Sequence, residues 1–222
     1  QAETLNSAKE ILPIILDLIP ITSVVDVGCG FGAWLSVFKD SGIEDYLGLD
    51  GDYIDKNNLL ISPDNFIKQN FNYEFNLNRR FDLAISLEVA EHLPAEISKQ
   101  FISNLTKHSN MVLFSAAIPD QGGSYHINEQ WLEYWIAIFK EFSFLPVDCI
   151  RKKIWNNSNV SWWYRQNLLL FVYKKVLKDH KRLLDEYNNQ DNVYSIVHPE
   201  LYMFKTNVII QLLKLIQAQK NG

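Results

Sequence analysis

The strongest constraint on the fold is the stretch VVDVGCGFGAWL at residues 24–35. Apart from Asp26 its first four residues are apolar and β-branched, which is typical of a buried strand, and three glycines follow closely before a helical pattern begins. In an open parallel sheet this succession places the glycines beyond the carboxyl end of a strand, where ligands bind. Because glycine has no side chain, the backbone of such a turn can approach a ligand closely.

Strand and helix patterns alternate along the rest of the chain. Strands are predicted at residues 24–27, 45–50, 65–69, 81–87, 111–118, 144–150 and 167–175. Helices are predicted at residues 7–19, 33–42, 94–108 and 128–140, and from about Pro199 onward. This order predicts an α/β fold with a doubly wound, mostly parallel seven-stranded sheet, an N-terminal helix and C-terminal helical additions. Residues 1–175 would form the ligand-binding domain, and 176–222 a helical extension packed on the same domain or in an oligomer interface.

Composition indicates what kind of partner the protein binds. The 222 residues are 47% hydrophobic and carry 21 basic and 26 acidic side chains, and the sequence has no arginine-rich arm. Binding to a nucleic acid is therefore not expected, and a small-molecule partner is favoured. The two cysteines, Cys29 and Cys149, form no disulfide pattern, which suits the cytoplasm. The apolar run at residues 11–21 contains Asp17 and two prolines and is too short to cross a bilayer, so no transmembrane segment is predicted.

Two carboxylates beside the glycine turn indicate the ligand. Asp50 ends the second strand 22 residues after Gly28, where it can accept hydrogen bonds from ribose hydroxyls. Asp26 precedes the first glycine by two residues, and its charge would oppose a pyrophosphate but suits a ligand with ammonium and sulfonium groups. The pattern therefore favours S-adenosylmethionine. Two alternatives remain: a turn with no ligand, and an NAD(P)-dependent oxidoreductase, although a Tyr-x-x-x-Lys pair is missing after the fifth strand.

The segments DVGCGFG, LGLD and FDLAISLEVAEHLP together resemble the class I S-adenosylmethionine-dependent methyltransferases, over roughly residues 20–175. The resemblance implies a Rossmann-like methyltransferase fold. It also implies that the glycine turn faces the methionine part, Asp50 the ribose, Asn70 the adenine, and the end of the fourth strand the transferred methyl group. The implied cofactor-binding residues are Asp26, Gly28, Cys29, Gly30, Asp50, Gly51, Asn70, Phe71 and Leu87.

The pentapeptide EVAEH supplies Glu88, Glu91 and His92, and His126 follows in the loop after the fifth strand. Spacing of i, i+3 and i+4 would direct the first three the same way in one helical turn. This set resembles the metal motif of small-RNA 2'-O-methyltransferases, and two carboxylates with two imidazoles suit Mg²⁺ or Mn²⁺. The alternative needs no metal: His92 bonds a backbone carbonyl and His126 acts alone as a base. The catalytic candidates are His126, Glu88 and His92.

The loop IPDQGGSYHINEQW carries Gln121, His126, Asn128 and Gln130 in one row, which would suit a hydroxylated acceptor. Five of the six tryptophans lie in HINEQWLEYW and IWNNSNVSWWYRQN, where core packing is expected to account for most.

The same block resembles small bacterial methyltransferases of surface-polysaccharide and capsule synthesis. The expected function is O-methylation of a sugar-related or nucleotide-linked acceptor. A catalytically inactive partner-binding protein is the non-enzymatic alternative, and the apolar C-terminal helix could pair two copies in a homodimer.

Overall fold

The computed structural model describes residues 1–220 of the chain. Within them the strands, in chain order, are β1 (Ser23–Val27), β2 (Asp45–Asp50), β3 (Phe66–Lys68), β4 (Leu83–Leu87), β5 (Met111–Ser115), β6 (Phe144–Val147) and β7 (Leu169–Tyr173). The α-helices are α1 (Ala2–Leu18), α2 (Ala33–Asp40), α3 (Ser98–His108), α4 (Leu132–Glu141), α5 (Arg151–Ile154), α6 (Trp162–Asn167), α7 (Lys174–Leu177), α8 (Lys181–Asn189) and α9 (Pro199–Lys220).

All seven strands form one sheet in the order β3-β2-β1-β4-β5-β7-β6. Strand β4 is the central strand of the seven. Strand β1 lies beside it and pairs in parallel with β2 and β4, so that Val25 lies between Leu47 and Ala84. Strand β7 is antiparallel to both of its neighbours. The predicted mostly parallel, doubly wound seven-stranded sheet is therefore confirmed. Because β1, β2, β4 and β5 run the same way, the loops that follow them meet at one edge, called the carboxyl edge below.

Apolar side chains pack on both faces of the sheet. Every residue of β1, β4 and β5 is buried, as expected for strands covered on two sides. Helices α1 and α2 cover one face, with Ile11, Leu35 and Phe38 fully buried. Helices α3 and α4 cover the other, where the rings of Phe139 and Phe171 stack with centroids 3.8 Å apart.

Several predicted strands are shorter in the structure. The fourth begins at Leu83 instead of residue 81, the fifth ends at Ser115 instead of residue 118, and the sixth ends at Val147 instead of residue 150. The predictions were too long because apolar residues continue past the strand ends. Ala116, Ala117 and Ile118, for example, are buried in the loop that leaves β5. Hydrophobicity reports burial and does not distinguish a strand from a buried loop.

Two helical regions also differ from the prediction. The helix expected at 128–140 begins only at Leu132, because the preceding backbone bonds to other segments: Asn128 N donates to Glu91 O and Gln130 N to Ala117 O. Residues 151–167, left without helices by the sequence pattern, form α5 and α6. Their short length and mixed composition give no clear periodicity.

The C-terminal segment is partly packed and partly exposed. Leu177 and Leu183 of α7 and α8 belong to the core, and Leu201 at the start of α9 is buried. Beyond that point α9 carries exposed apolar side chains, including Ile209 and Leu215. The boundary at residue 175 stays a prediction. Among residues 1–220 there is no helix with both the length and the apolar character needed to span a bilayer.

One buried arginine fastens this segment to the sheet. The guanidinium of Arg151, 1% exposed, donates to both carboxylate oxygens of Asp148 at 3.0 and 2.6 Å. It also donates to the backbone carbonyls of Gln166, Tyr194 and Val193 at 3.0, 2.8 and 3.1 Å. Five hydrogen bonds therefore join β6, α6 and the strap of residues 190–198 that leads into α9.

We expect Arg151→Leu to lower the free energy of unfolding by about 3–5 kcal/mol, because it leaves the Asp148 carboxylate and three carbonyls without their partner. Urea unfolding followed by tryptophan fluorescence would measure the loss. The matched control is Lys99→Ala, which removes the exposed pair with Glu141 and should cost less than about 1 kcal/mol. Equal stability of the two variants would contradict this role for Arg151.

Candidate active site at the carboxyl edge

The glycine turn after β1 is held against both neighbouring strands. Gly28 adopts φ +93°, a conformation that favours glycine, and a Cβ there would lie 2.3 Å from Cγ2 of Val89 in the loop after β4. The backbone amides of Gly28 and Cys29 donate to the carbonyl of Leu49 at 2.8 and 3.0 Å. The turn is therefore fixed in place, and the sequence-predicted Gly28, Cys29 and Gly30 lie together at the carboxyl edge.

Asp50 closes this turn from the end of β2. One carboxylate oxygen accepts from Gly30 N at 2.6 Å, and the other accepts from Gly51 N at 2.6 Å and from the Tyr53 hydroxyl at 2.5 Å. Tyr53 was not singled out from the sequence, and its ring is 78% exposed. Its hydroxyl bonds to the carboxylate in the way a ligand hydroxyl would.

Asp26 lies beneath the turn in a different environment. Its side chain is 3% exposed and accepts no hydrogen bond from residues 1–220. Burial, together with the charge of Asp50, holds the pKa of this carboxyl well above its usual range. A buried carboxyl without a partner is best stabilised by a cationic group placed beside it.

A cavity of ≈ 450 Å³ opens next to Asp50, between the loops after β2, β3 and β4. Its lining brings together Gly51, Asn70 and Phe71, all three predicted from the sequence, with Tyr53 and His92. Phe71 is mostly buried and packs edge-on against Phe101, so it forms the floor of the cavity and part of the core. Cys29 and Leu87 are also core residues, each 8% exposed.

Glu88, the first residue after β4, occupies left-handed backbone at φ +57°, a strained conformation for this residue type. Its carboxylate accepts from the side-chain amides of Gln121 at 2.9 Å and Asn167 at 3.2 Å. Burial raises its pKa, while these hydrogen bonds act in the opposite direction. Asn167 was not identified from the sequence; its only signal was its place in the aromatic and amide stretch.

Three of the four predicted metal ligands come together. Glu91, His92 and His126 each offer a ligand atom, and these atoms lie within 4.8 Å of one another. Glu88 lies outside this group, which corrects the expectation of four. The predicted single α-helical turn is instead a 3-10 turn at Ala90–His92, preceded by the left-handed Glu88, so the i, i+3 alignment is lost.

The chemistry of these three groups suits a cation. Glu91 is fully buried and neither carboxylate oxygen has a hydrogen-bond partner within residues 1–220; burial, followed by the charge of Glu88, raises its pKa well above the usual range. Nδ1 of His126 lies 2.9 Å from Glu129 Oε1, and Nδ1 of His92 lies 3.3 Å from the Tyr125 carbonyl. Donation from both Nδ1 atoms would leave each Nε2 with a lone pair for a ligand. Burial and then the neighbouring His126 lower the pKa of His92.

The amides expected to face an acceptor are mostly used inside the protein. Gln121 bonds to Glu88, Asn128 donates to the Ser98 hydroxyl at 3.1 Å, and Gln130 donates to Asn128 at 3.0 Å. Of that row, only His126 joins the group of ligand atoms described above. These three amides are therefore already bonded to Glu88, to Ser98 and to each other, so they do not present a free row of polar groups.

Comparison with known proteins agrees with this geometry. A family model described as a methyltransferase domain matches residues 5–166. Among solved structures, DesVI of Streptomyces venezuelae is 13% identical, with 77% of this chain and 92% of that chain covered and a TM-score of 0.57. The sugar N-methyltransferase KedS8 from Streptoalloteichus is also 13% identical, with coverages of 76% and 87% and a TM-score of 0.57.

The methyltransferase domain of bacterial CtHen1-C is 16% identical, with 76% of this chain and 98% of that chain covered and a TM-score of 0.54. At such identities these likenesses show the fold alone. No curated protein matches the chain. The family model spans most of the chain, and the oxidoreductase alternative finds no support in it. The chain therefore belongs to the methyltransferase-domain family and is an S-adenosylmethionine-dependent methyltransferase.

Proposed function

We propose that the protein transfers a methyl group from S-adenosylmethionine to a hydroxyl of a small, sugar-related acceptor. The observation that carries the cofactor side is the pair of buried carboxylates on either side of the glycine turn. Asp26 is unpaired and buried, as a partner for the cofactor ammonium would be, and Asp50 already holds a hydroxyl. A pyrophosphate would be repelled by ionised carboxylates here, whereas the ammonium and sulfonium groups of S-adenosylmethionine would stabilise their ionised forms.

The remaining cofactor contacts follow from the same frame. The backbone of Gly28, Cys29 and Gly30 would face the methionine part, and Leu87 the methyl end. Gly51, Asn70 and Phe71 line the ≈ 450 Å³ cavity beside Asp50, which would hold the adenine. The ribose hydroxyls would replace the Tyr53 hydroxyl on Asp50, so Tyr53 would move aside when the cofactor binds.

When bound, S-adenosylmethionine would supply a methyl group on a positively charged sulfur. The acceptor oxygen would form a bond to that methyl carbon as the carbon–sulfur bond breaks, and adenosylhomocysteine would be the leaving group. Where no metal is bound, the hydroxyl proton would pass to Nε2 of His126, which Glu129 orients through Nδ1. Glu88, at the methyl end of the site, would help to align the acceptor with the sulfonium.

We further propose that Glu91, His92 and His126 hold a divalent cation, because the two unpartnered oxygens of Glu91 lie beside two imidazoles. Without Glu88 the set contains a single carboxylate, so of the two expected ions Mn²⁺, which accepts imidazole nitrogen more readily than Mg²⁺, fits better. A bound divalent ion would polarise the acceptor hydroxyl and lower its pKa. In the alternative without a metal, His126 alone removes the proton.

The setting we propose is bacterial capsule or surface-polysaccharide synthesis in the cytoplasm. The two free cysteines agree with a reducing compartment. Support for a sugar acceptor comes from the sequence resemblance and from KedS8, a sugar N-methyltransferase that shares the fold. KedS8 also makes the amino group of an amino sugar the second candidate acceptor. The exposed apolar side chains of α9 support a homodimer formed through this helix.

We expect Asp50→Ala to weaken adenosylhomocysteine binding by about 1.5–3 kcal/mol, because charge-assisted ribose hydrogen bonds are lost. Isothermal titration calorimetry would measure this, with NAD as the competing ligand. The matched variant is Tyr53→Phe, which removes the competing hydroxyl and should bind adenosylhomocysteine as well as, or better than, the parent protein. Preferential binding of NAD would refute the cofactor assignment.

Chelation should abolish methyl transfer, and added Mg²⁺ or Mn²⁺ should restore it, if the three-ligand site binds a metal. Metal content measured by mass spectrometry gives a readout apart from activity. Glu91→Gln should reduce retained metal while leaving adenosylhomocysteine affinity unchanged. Full activity in excess EDTA, with no metal retained, would exclude the metal and leave His126 as the base.

His126→Ala should reduce turnover about 100-fold while adenosylhomocysteine affinity stays nearly unchanged, because His126 serves the acceptor. His180→Ala, at the start of α8 beyond the opposite edge of the sheet, is the matched control. A panel of sugar nucleotides, sugar derivatives, amino sugars, quinones and catechols would be assayed with the parent enzyme. Methylation restricted to phenols would contradict the sugar acceptor, and normal turnover by His126→Ala would contradict the role of His126.

A further inference from the structure

A second cavity lies at the carboxyl edge and belongs to none of the groups described above. It measures ≈ 330 Å³, is open to solvent on one side and is lined by the start of α1, the loop 156–161, and the starts of α6 and α9. The lining residues that matter here are Asn6, Ser158, Trp162, Trp163, Arg165 and Glu200. The rings of Trp162 and Trp163 meet at 83° with centroids 5.5 Å apart, so they form two walls of a corner.

Topology puts this cavity beside the site of methyl transfer. Helix α1 ends just before β1 begins at the opposite edge of the sheet, so the start of α1 reaches toward the carboxyl edge. Helix α6 supplies Trp163 to the cavity and Asn167 to the Glu88 carboxylate. These two residues are four apart on one helix face, about 6 Å along its axis. The cavity and the Glu88 carboxylate are therefore reached by residues one helical turn apart on α6.

The walls of the cavity are fixed before any ligand binds. The side-chain amides of Asn157 and Asn159 donate to the two carboxylate oxygens of Glu10 at 2.8 and 3.1 Å. Ser161 N donates to the Ser7 hydroxyl at 3.0 Å. These bonds connect the loop to α1, which lies roughly 150 residues earlier in the chain. Because the cavity is already formed, binding a ligand would cost little conformational entropy of the protein.

The charges that line the cavity limit the chemical class of ligand it can bind. Glu3 and Glu200 line the cavity with one guanidinium, that of Arg165, which already pairs with Glu200 at 2.5 Å. The excess of carboxylates disfavours a phosphate or pyrophosphate. Indole faces suit the apolar side of a ring, while the exposed amide of Asn6 and hydroxyl of Ser158 can bond to hydroxyls.

We propose that this cavity binds a neutral, hydroxylated sugar ring of the acceptor, next to the unit that is methylated. The inference rests on the proposed sugar-directed function and adds a subsite to it. In the loop after β5, the side chains of Gln121, Asn128 and Gln130 are already bonded within the protein. The cavity lined by Trp162 and Trp163 would then provide the contacts to the sugar hydroxyls.

The test uses the full chain saturated with adenosylhomocysteine, and methyl α-glucoside and methyl α-galactoside as probes. Saturation-transfer NMR should show glycoside binding that weakens about tenfold or more in Trp162→Ala. Trp162→Phe keeps an aromatic face and should retain most of the affinity. Tyr73→Ala removes an exposed ring outside the cavity and should behave like the parent protein.

Each other outcome overturns the subsite. Glycoside binding that survives Trp162→Ala places the sugar elsewhere, and absence of glycoside binding, or stronger binding of inorganic phosphate, refutes the ligand class. Adenosylhomocysteine titration of the same variants separates this failure from that of the proposed function. If every variant binds adenosylhomocysteine but the parent protein binds no glycoside, the proposed cofactor site is retained and the proposed sugar subsite is rejected.

Discussion

The interaction on which the site depends is the hydrogen-bonding of the Asp50 carboxylate to two backbone amides. Gly30 N approaches one oxygen and Gly51 N the other, both at 2.6 Å, so a single buried side chain joins the turn after β1 to the turn after β2. Ionised acceptors form the stronger hydrogen bonds, and these two offset the cost of burying the charge. Without them the glycine turn would lack a fixed position relative to the cavity beside Asp50.

A second polar centre surrounds Glu88 at the carboxyl edge. The Glu88 carboxylate bonds to Gln121 and Asn167, and Gln166 continues the network by accepting from the backbone amide of His198 at 2.8 Å. The end of β4, the loop after β5, α6 and the base of α9 therefore meet in one set of hydrogen bonds. A buried network of this kind defines one arrangement, because each unsatisfied member would be costly.

The sequence predicted the surroundings of the glycine turn better than the surroundings of Glu88. Gly28, Asp26 and Asp50 lie within or next to strands whose order follows from the alternating pattern, so their meeting at one edge is a local consequence of a parallel sheet. The Glu88 network gathers segments more than 30 residues apart, such as Glu88 with Gln121 and Asn167. Hydrophobic periodicity predicts local helices and strands, and it does not predict which distant side chains bond to each other.

The sequence by itself therefore determined the class of the fold, the place of the glycine turn and the two acidic residues beside it. These depend on hydrophobic periodicity and on short-range backbone needs that a single segment contains. Only the tertiary structure decided that Glu88 leaves the group formed by Glu91, His92 and His126, that the loop amides are consumed internally, and that two tryptophans line a cavity. The physical reason is that these features depend on which distant groups satisfy one another once water is excluded, and that follows from packing in three dimensions.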